Sequence, residues 1–143
     1  MDLPRNRFKA TLKAGHHQLG FWNTISGPIV PEALAAIGFD WIVVDTEHTT
    51  TEAFQVHHSL QAIAAYPEVS AVVRPVSNDP AYIKRYLDMG AQTLMIPYVQ
   101  TPEEAAAAVH AMRYPPKGMR GMAGGTRASR FGLVKDYMTR AED

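Results

Sequence analysis

The sequence predicts an α/β protein built on a parallel sheet, and three observations carry that reading. From residue 19 onward, short apolar runs alternate with segments of helical period, giving a βαβαβαβα order. The runs WIVVD (41–45) and VSAVVRP (69–75) are nearly all apolar and β-branched, as strands covered on both faces are. Helix-capping residues mark the joints between runs. Such alternation implies right-handed crossovers between parallel strands.

LGFWNT (19–24) is the first expected strand. PEALAAIG (31–38) follows as a helix, with Pro31 in its first turn and Gly38 at its C-terminal end. WIVVD (41–45) is the second strand. The next helix is expected from about Thr49, because Thr49 and Glu52 have capping-box spacing. Val56, Leu60 and Ile63 give it a buried stripe. Residues 69–75 form the third strand and carry Arg74 at its end. Asp79 and Pro80 open the following helix, Ile83, Tyr86 and Leu87 face the core, and Gly90 closes it. QTLMIPYV (92–99) is expected as a fourth strand, and Thr101, Pro102 and Glu104 start a fourth helix with its own capping box. Segments 35–45 and 87–97 echo each other as helix end, glycine, polar residue and strand, which fits repeated βα units. Residues 113–132 are rich in Gly, Pro and Arg without a period and read as a long loop. Residues 133–143 are expected to form a short last helix.

The 143 residues suit one domain, spanning 1–143, with a core of its own. A formal net charge of zero leaves no electrostatic footprint for nucleic acid or an anionic membrane. The absence of cysteine excludes disulfides and thiolate metal sites, and it fits a cytoplasmic protein. No apolar run approaches the roughly 20 residues of a membrane span.

In parallel α/β folds the working residues gather where strands end. Here those ends bring Trp22 and Asn23, then Asp45, Glu47 and His48, then Arg74, then Pro97, Tyr98 and Gln100. His48 suits a general base near neutral pH, and the neighbouring carboxylate of Asp45 could orient it. The alternative is a loop histidine held by Glu47. Arg74 has the planar fork that grips a carboxylate, and the alternative is a structural ion pair. His57 and His58 lie off the apolar stripe and are expected in water, and His110 at the surface. Arg113, Lys117, Arg120, Arg127 and Arg130 lack a GxxxxGK[ST] phosphate pattern and are expected as solvated charges on a mobile loop. Met95, Met112, Trp41 and Phe54 are expected in the core.

The segments GFDWIVVDTEH, VVRPVSNDPAYIKRYLDMGAQTLMIPYVQTPEEA, RYPPKGMRG and RASR, in that order, closely resemble the HpcH/HpaI aldolase family. The likeness runs from about Phe8 to the C-terminus. It implies a TIM (β/α)8 barrel, assembled into a homo-oligomer that is usually a hexamer. The implied reaction is reversible aldol cleavage of a 4-hydroxy-2-oxo acid to pyruvate and an aldehyde, with Mg²⁺, Mn²⁺ or Co²⁺ holding the enolate. Carried onto this sequence, the resemblance makes His48 the base, acting through water, and Asp45 its orienting residue. It makes Arg74 the pyruvate-binding residue and Trp22 a residue lining the substrate mouth. Asp88 would reach a neighbouring subunit's site. Thr46 departs from the family's usual Gly. The family's metal ligands, a Glu on strand five and an Asp on strand six, have no counterpart here. About four βα units are counted, where a full barrel has eight in roughly 250 residues. The chain thus reads as the first half of such an aldolase. Two other readings stand beside it: a catalytically incomplete half-barrel serving as a binding or assembly module, and a doubly wound binding domain complete at this length.

Overall fold

The computed structural model describes residues 3–142. Strands β1 (Gly20–Asn23), β2 (Trp41–Asp45), β3 (Ser70–Arg74) and β4 (Thr93–Leu94) form one parallel sheet in chain order. The helices are α1 (Arg7–Lys13), α2 (Ile29–Ile37), α3 (Ala53–Ile63), α4 (Pro80–Asp88), α5 (Pro102–Met112) and α6 (Tyr137–Arg140). Strictly sequential order is the arrangement of a partial TIM barrel. A doubly wound sheet reverses its order at a switch point, and this one does not. No described helix is long and apolar enough to cross a membrane.

The pleat sends alternate residues to opposite faces. Ile42, Val44 and Val73 face the helices and pack with Leu34 of α2, Val56, Leu60 and Ile63 of α3, and Tyr86 of α4. Ile83, Leu87 and Ala111 form a second cluster between α4 and α5. Each fully buried Val, Leu or Ile side chain among them contributes about 1.5–3 kcal/mol. The opposite face carries Trp41, Val43 and Asp45 on β2, in register with Ser70, Val72 and Arg74 on β3.

Helix α1, not expected from the sequence, packs at the N-terminal ends of the strands. Asn6 caps it by accepting the Lys9 N–H (2.9 Å) and donates its amide to the Gln92 carbonyl (2.9 Å). Phe8 meets Trp41 edge to face, centroids 6.1 Å apart. The Trp41 indole in turn lies over Gly20, where a Cβ would overlap its ring.

Gly38 and Gly90 end their helices with left-handed backbone, and Asp79 and Thr101 cap theirs, all as expected. Other expectations are corrected. Helix α3 starts at Ala53, with its capping box on Glu52 and Gln55 rather than on Thr49 and Glu52. The Thr49 hydroxyl is occupied elsewhere, donating to the Asp45 carbonyl (2.7 Å) and accepting the Thr51 N–H (3.1 Å). Strand β4 covers two residues, not 92–99. Its ladder continues only through Met95 N–H to Val73 (2.9 Å), because β3 ends and Pro97 has no N–H. Phe54 is 72% exposed instead of core, since it sits about 200° round the helix from Val56. His57 and His58 are half-buried rather than free in water, with His58 edge to face against Phe54 (4.2 Å).

In the Gly/Arg loop, Arg113, Lys117 and Arg130 are exposed as expected, but Arg120 and Arg127 are not solvated charges. Arg120 is buried, donates to Asp88 (2.6 Å) and stacks on Tyr114 (4.5 Å). Arg127 donates to the Met89 carbonyl at the end of α4 (2.8 Å). Burial pushes the Tyr114 phenol up to about 12. The expected last helix shrinks to Tyr137–Arg140, and Asp143 lies outside the described residues.

A Gly20→Ala substitution is expected to destabilise the fold by about 2 kcal/mol, because the new methyl must displace the Trp41 indole. Urea unfolding checks this, and an unchanged midpoint would remove the role given to that contact.

Candidate active site

Asp45 is the last residue of β2 and the register partner of Arg74, the last residue of β3. The two strand ends therefore set an acid and a guanidinium side by side on the face away from the helices. Arg74 Nε donates to Asp45 Oδ1 (2.7 Å) and Nη2 donates to Oδ2 (2.6 Å). The Trp22 indole N–H donates to Oδ2 (3.2 Å), and the Glu47 backbone N–H donates to Oδ1 (3.0 Å). A carboxylate offers about four acceptor sites, and all are taken here. Asp45 is 1% exposed. Burial alone would raise its pKa, but the Arg74, Glu47 and Trp22 hydrogen bonds and the Arg74 charge outweigh it and hold the group below the usual carboxylate range. The hydrogen bond to Asp45 raises Arg74 in turn, against burial and with help from the charges of Asp45 and Glu47.

Arg74 makes a second ion pair, Nη1 donating to Glu47 Oε2 (2.6 Å). The Trp22 ring lies 4.8 Å from its guanidinium carbon, within cation–π range. Three of the five guanidinium N–H groups are thereby engaged, which leaves one on each Nη. Glu47 Oε1 lies 3.6 Å from His48 Nε2, a contact that becomes an ion pair when the imidazole is protonated. The His48 side chain is 77% exposed.

The structure thus brings Trp22, Asp45 and Arg74 together, with His48 at their edge through Glu47. It corrects one expectation: Asp45 does not orient His48. Asp45 has no acceptor site to spare, and the carboxylate beside His48 Nε2 is that of Glu47. Glu47, placed at the strand ends by sequence and named there as the alternative holder of His48, does lie against His48, and its ion pair with Arg74 is what the sequence reading did not give. Asp88 lies elsewhere. Helix α4 runs back from the strand ends, so Asp88 at its far end is carried away from Arg74 and into the pair with Arg120. Tyr98, after β4, holds a left-handed backbone (φ 56°) and is 83% exposed. For a non-glycine residue that conformation costs roughly 1–2 kcal/mol.

Behind the pair, Thr46 ties the strand ends to α4. Its N–H (3.1 Å) and hydroxyl (2.6 Å) both donate to the Arg74 carbonyl, and its oxygen accepts from the Tyr86 hydroxyl (3.2 Å). A glycine at this position would leave the Tyr86 hydroxyl without that acceptor. Among the described residues, no three His, Asp or Glu side chains converge as a cation would require. The saturated carboxylate of Asp45 and the Glu47–Arg74 pair mean that a divalent cation does not fit the residues present.

Residues 18–131 match the family model for HpcH/HpaI aldolase/citrate lyase. The chain belongs to this family. It is 54% identical over 143 residues to a hydroxypyruvate/pyruvate aldolase of Sagittula stellata, covering all of this chain and 56% of that protein. It is 50% identical over 139 residues to a 4-hydroxy-2-oxo-heptane-1,7-dioate aldolase of Shigella sonnei, covering 96% of this chain and 53% of that one. Its fold superposes on an HpcH/HpaI aldolase/citrate lyase family protein of Burkholderia cenocepacia with a TM-score of 0.92 at 40% identity, covering 96% of this chain and 56% of the other. The chain spans about half the length of the curated relatives it matches.

In this HpcH/HpaI chain the Asp45–Arg74 pair makes two stability predictions. Removing the guanidinium by Arg74→Ala strands a buried carboxylate and is expected to cost about 3–5 kcal/mol, with Arg74→Lys costing less. The depressed Asp45 pKa adds stability that is complete above its ordinary value of 3.8 and is lost as pH falls through the lower folded value. The Asp45 contribution to unfolding free energy should therefore be level above about pH 5 and drop below about pH 4, and Asp45→Asn should flatten that acid limb. An acid limb that persists unchanged in Asp45→Asn would assign the effect to other carboxylates.

Proposed function

We propose that this chain forms the substrate-orienting half of a metal-dependent (class II) pyruvate aldolase, which cleaves a 4-hydroxy-2-oxo acid to pyruvate and an aldehyde. Family membership and the names of the relatives support the reaction class. The observation that carries the reading is the state of Arg74. Its charge is fixed by Asp45 and Glu47, Trp22 covers one face, and an N–H on each terminal nitrogen stays free at the strand ends.

Those two donors suit the oxygens of a 2-oxo acid. They hold the substrate in the plane of the guanidinium and stabilise the negative charge that develops as the enolate forms. His48, exposed and within reach of water, accepts the proton of the 4-hydroxyl. The C3–C4 bond then breaks, the aldehyde departs, and a returned proton at C3 converts the enolate to pyruvate. Glu47 sits between the two groups and balances the imidazolium when it forms, the role earlier expected of Asp45. Trp22 lines the mouth. The cation of such an enzyme does not fit the residues present, so the part of this chain is orientation and proton transfer. By the same family reading, the whole enzyme is a cytoplasmic homo-oligomer, and Asp88 contributes toward a neighbouring subunit.

A second reading has its own observation. With Asp45 and Glu47 committed to Arg74 and no cation cluster among the described residues, the chain could bind a 2-oxo acid without turning it over. One experiment separates the two. A complete homologous barrel carrying these residues is given 4-hydroxy-2-oxoheptanedioate with Mn²⁺ or with EDTA, and pyruvate is followed through lactate dehydrogenase. Binding of pyruvate is followed separately by Trp22 fluorescence. The aldolase reading expects Mn²⁺-dependent release that falls by about 10²–10⁴-fold in His48→Ala while pyruvate binding survives. Arg74→Lys should weaken pyruvate binding about tenfold or more, since a point charge replaces the fork. Binding without release selects the second reading, and the absence of both overturns the site.

A further inference from the structure

We infer that Ser26 is a positioning residue for the proposed aldol cleavage: its hydroxyl, bound to Thr50 and Thr51, fixes the loop that carries His48 relative to Arg74. The inference rests on the aldolase reading, since it needs His48 to be the base. It begins with how differently the two groups are held. Arg74 is fixed through its side chain, by Asp45, Glu47 and Trp22. The His48 side chain is 77% exposed, with the Glu47 carboxylate 3.6 Å away. Its place is therefore set by the backbone beneath it, residues 46–52 between β2 and α3.

That backbone is tied down on both sides of His48. Before it, Thr46 donates twice to the Arg74 carbonyl (3.1 and 2.6 Å), which joins the loop to β3. After it, Thr49 folds the loop on itself, through the Asp45 carbonyl (2.7 Å) and the Thr51 N–H (3.1 Å). The tie to another segment comes from Ser26, on the loop between β1 and α2. Its hydroxyl lies 2.9 Å from the Thr51 hydroxyl and 3.2 Å from the Thr50 hydroxyl. A hydroxyl has one donor and two acceptor positions, so Ser26 can serve both at once. Thr51 is 6% exposed, and among the described residues Ser26 is the only hydrogen-bond partner of its hydroxyl. Ser26 is itself bracketed. Asn23, at the end of β1, accepts the Ile25 N–H (3.2 Å) and donates to the Ile25 carbonyl (2.9 Å), and Ser59 of α3 donates to the Gly27 carbonyl (3.4 Å). Bonds within residues 46–52 suffice to curl that loop. What Ser26 adds is a fixed distance to the neighbouring strand end. A general base works only within hydrogen-bond reach of the proton it takes, and a displacement of about 1 Å can cost about 10²-fold in rate.

A complete homologous barrel carrying these residues tests this, with retro-aldol turnover and pyruvate binding measured side by side. In Ser26→Ala and in Thr51→Val, kcat should fall about 10–10²-fold while pyruvate binds as in the wild type, because Arg74 is untouched. Ser26→Thr keeps the hydroxyl and should keep most of the turnover. In a His48→Ala background, Ser26→Ala should cause no further loss, since the effect acts through the base, whereas a merely structural contact would cost the same in both backgrounds. Circular dichroism checks that each variant folds, and the isosteric Thr51→Val carries the comparison if Ser26→Ala does not. Normal turnover in His48→Ala would overturn the aldolase roles and this proposal with them. Turnover that needs His48 but survives in both Ser26→Ala and Thr51→Val would overturn the positioning role alone. So would an equal loss in both backgrounds, or a loss of pyruvate binding alongside kcat.

Discussion

A buried carboxylate sets the terms of this fold. Asp45 lies at the end of the most apolar strand, and such a charge is tolerated only when its lone pairs are filled and its charge is matched. The sheet meets both demands through register. Pairing Trp41 with Ser70 brings Asp45 opposite Arg74, and a one-residue slip would send the two groups to different faces. The ion pair thus fixes the alignment of β2 and β3, and Trp22 N–H to Asp45 extends that constraint to β1.

The same arrangement decides what Arg74 can do. A solvent-exposed arginine would sample many rotamers, and ordering it on a ligand would cost side-chain entropy. Here Asp45 and Glu47 hold the fork, Trp22 covers one face, and Thr46 grips the backbone of the same residue. Two N–H groups are left pointing from a rigid base. Preorganised donors of this kind are worth most where charge develops, because they need no rearrangement as it does. Stability and the proposed chemistry therefore rest on one side chain, and mutating it perturbs both.

Much of this was legible in the sequence. Continuous apolar runs located β2 and β3, and the Asp79–Pro80 and Thr101–Glu104 signatures located two helix starts. Asp45, Arg74 and Trp22 followed from the rule that strand ends carry the site. The misses share a cause, since local spacing alone does not reveal which partner a polar group finds. Thr49 and Glu52 have capping-box spacing, but so do Glu52 and Gln55, and the Thr49 hydroxyl was already bound to Asp45. Asp45 and His48 are close in sequence, yet the acceptors of Asp45 were filled by Trp22 and Arg74 from two other strands and by the Glu47 backbone. Arg120 read as a loop charge because its partner, Asp88, lies 32 positions away. Phe54 is a different kind of miss, in which residue type was weighed above helical angle.

The position of the site within the sheet gives these pieces one logic. Asp45 and Arg74 lie on β2 and β3, the two strands with neighbours on both sides, whereas the unpaired edges belong to β1 and β4. Edge strands fray and accept new partners, and central strands do not. An acid and a guanidinium placed centrally keep their geometry whatever covers the ends. Trp22, on β1, lies nearer to the open boundary, and it is held there by its indole bond to Asp45 and by the guanidinium beneath its ring. Closing the β1 edge would restrict that ring further without moving the pair under it. The clamp is thus fixed by the half-sheet itself, while the mouth around it is left for the next surface to shape.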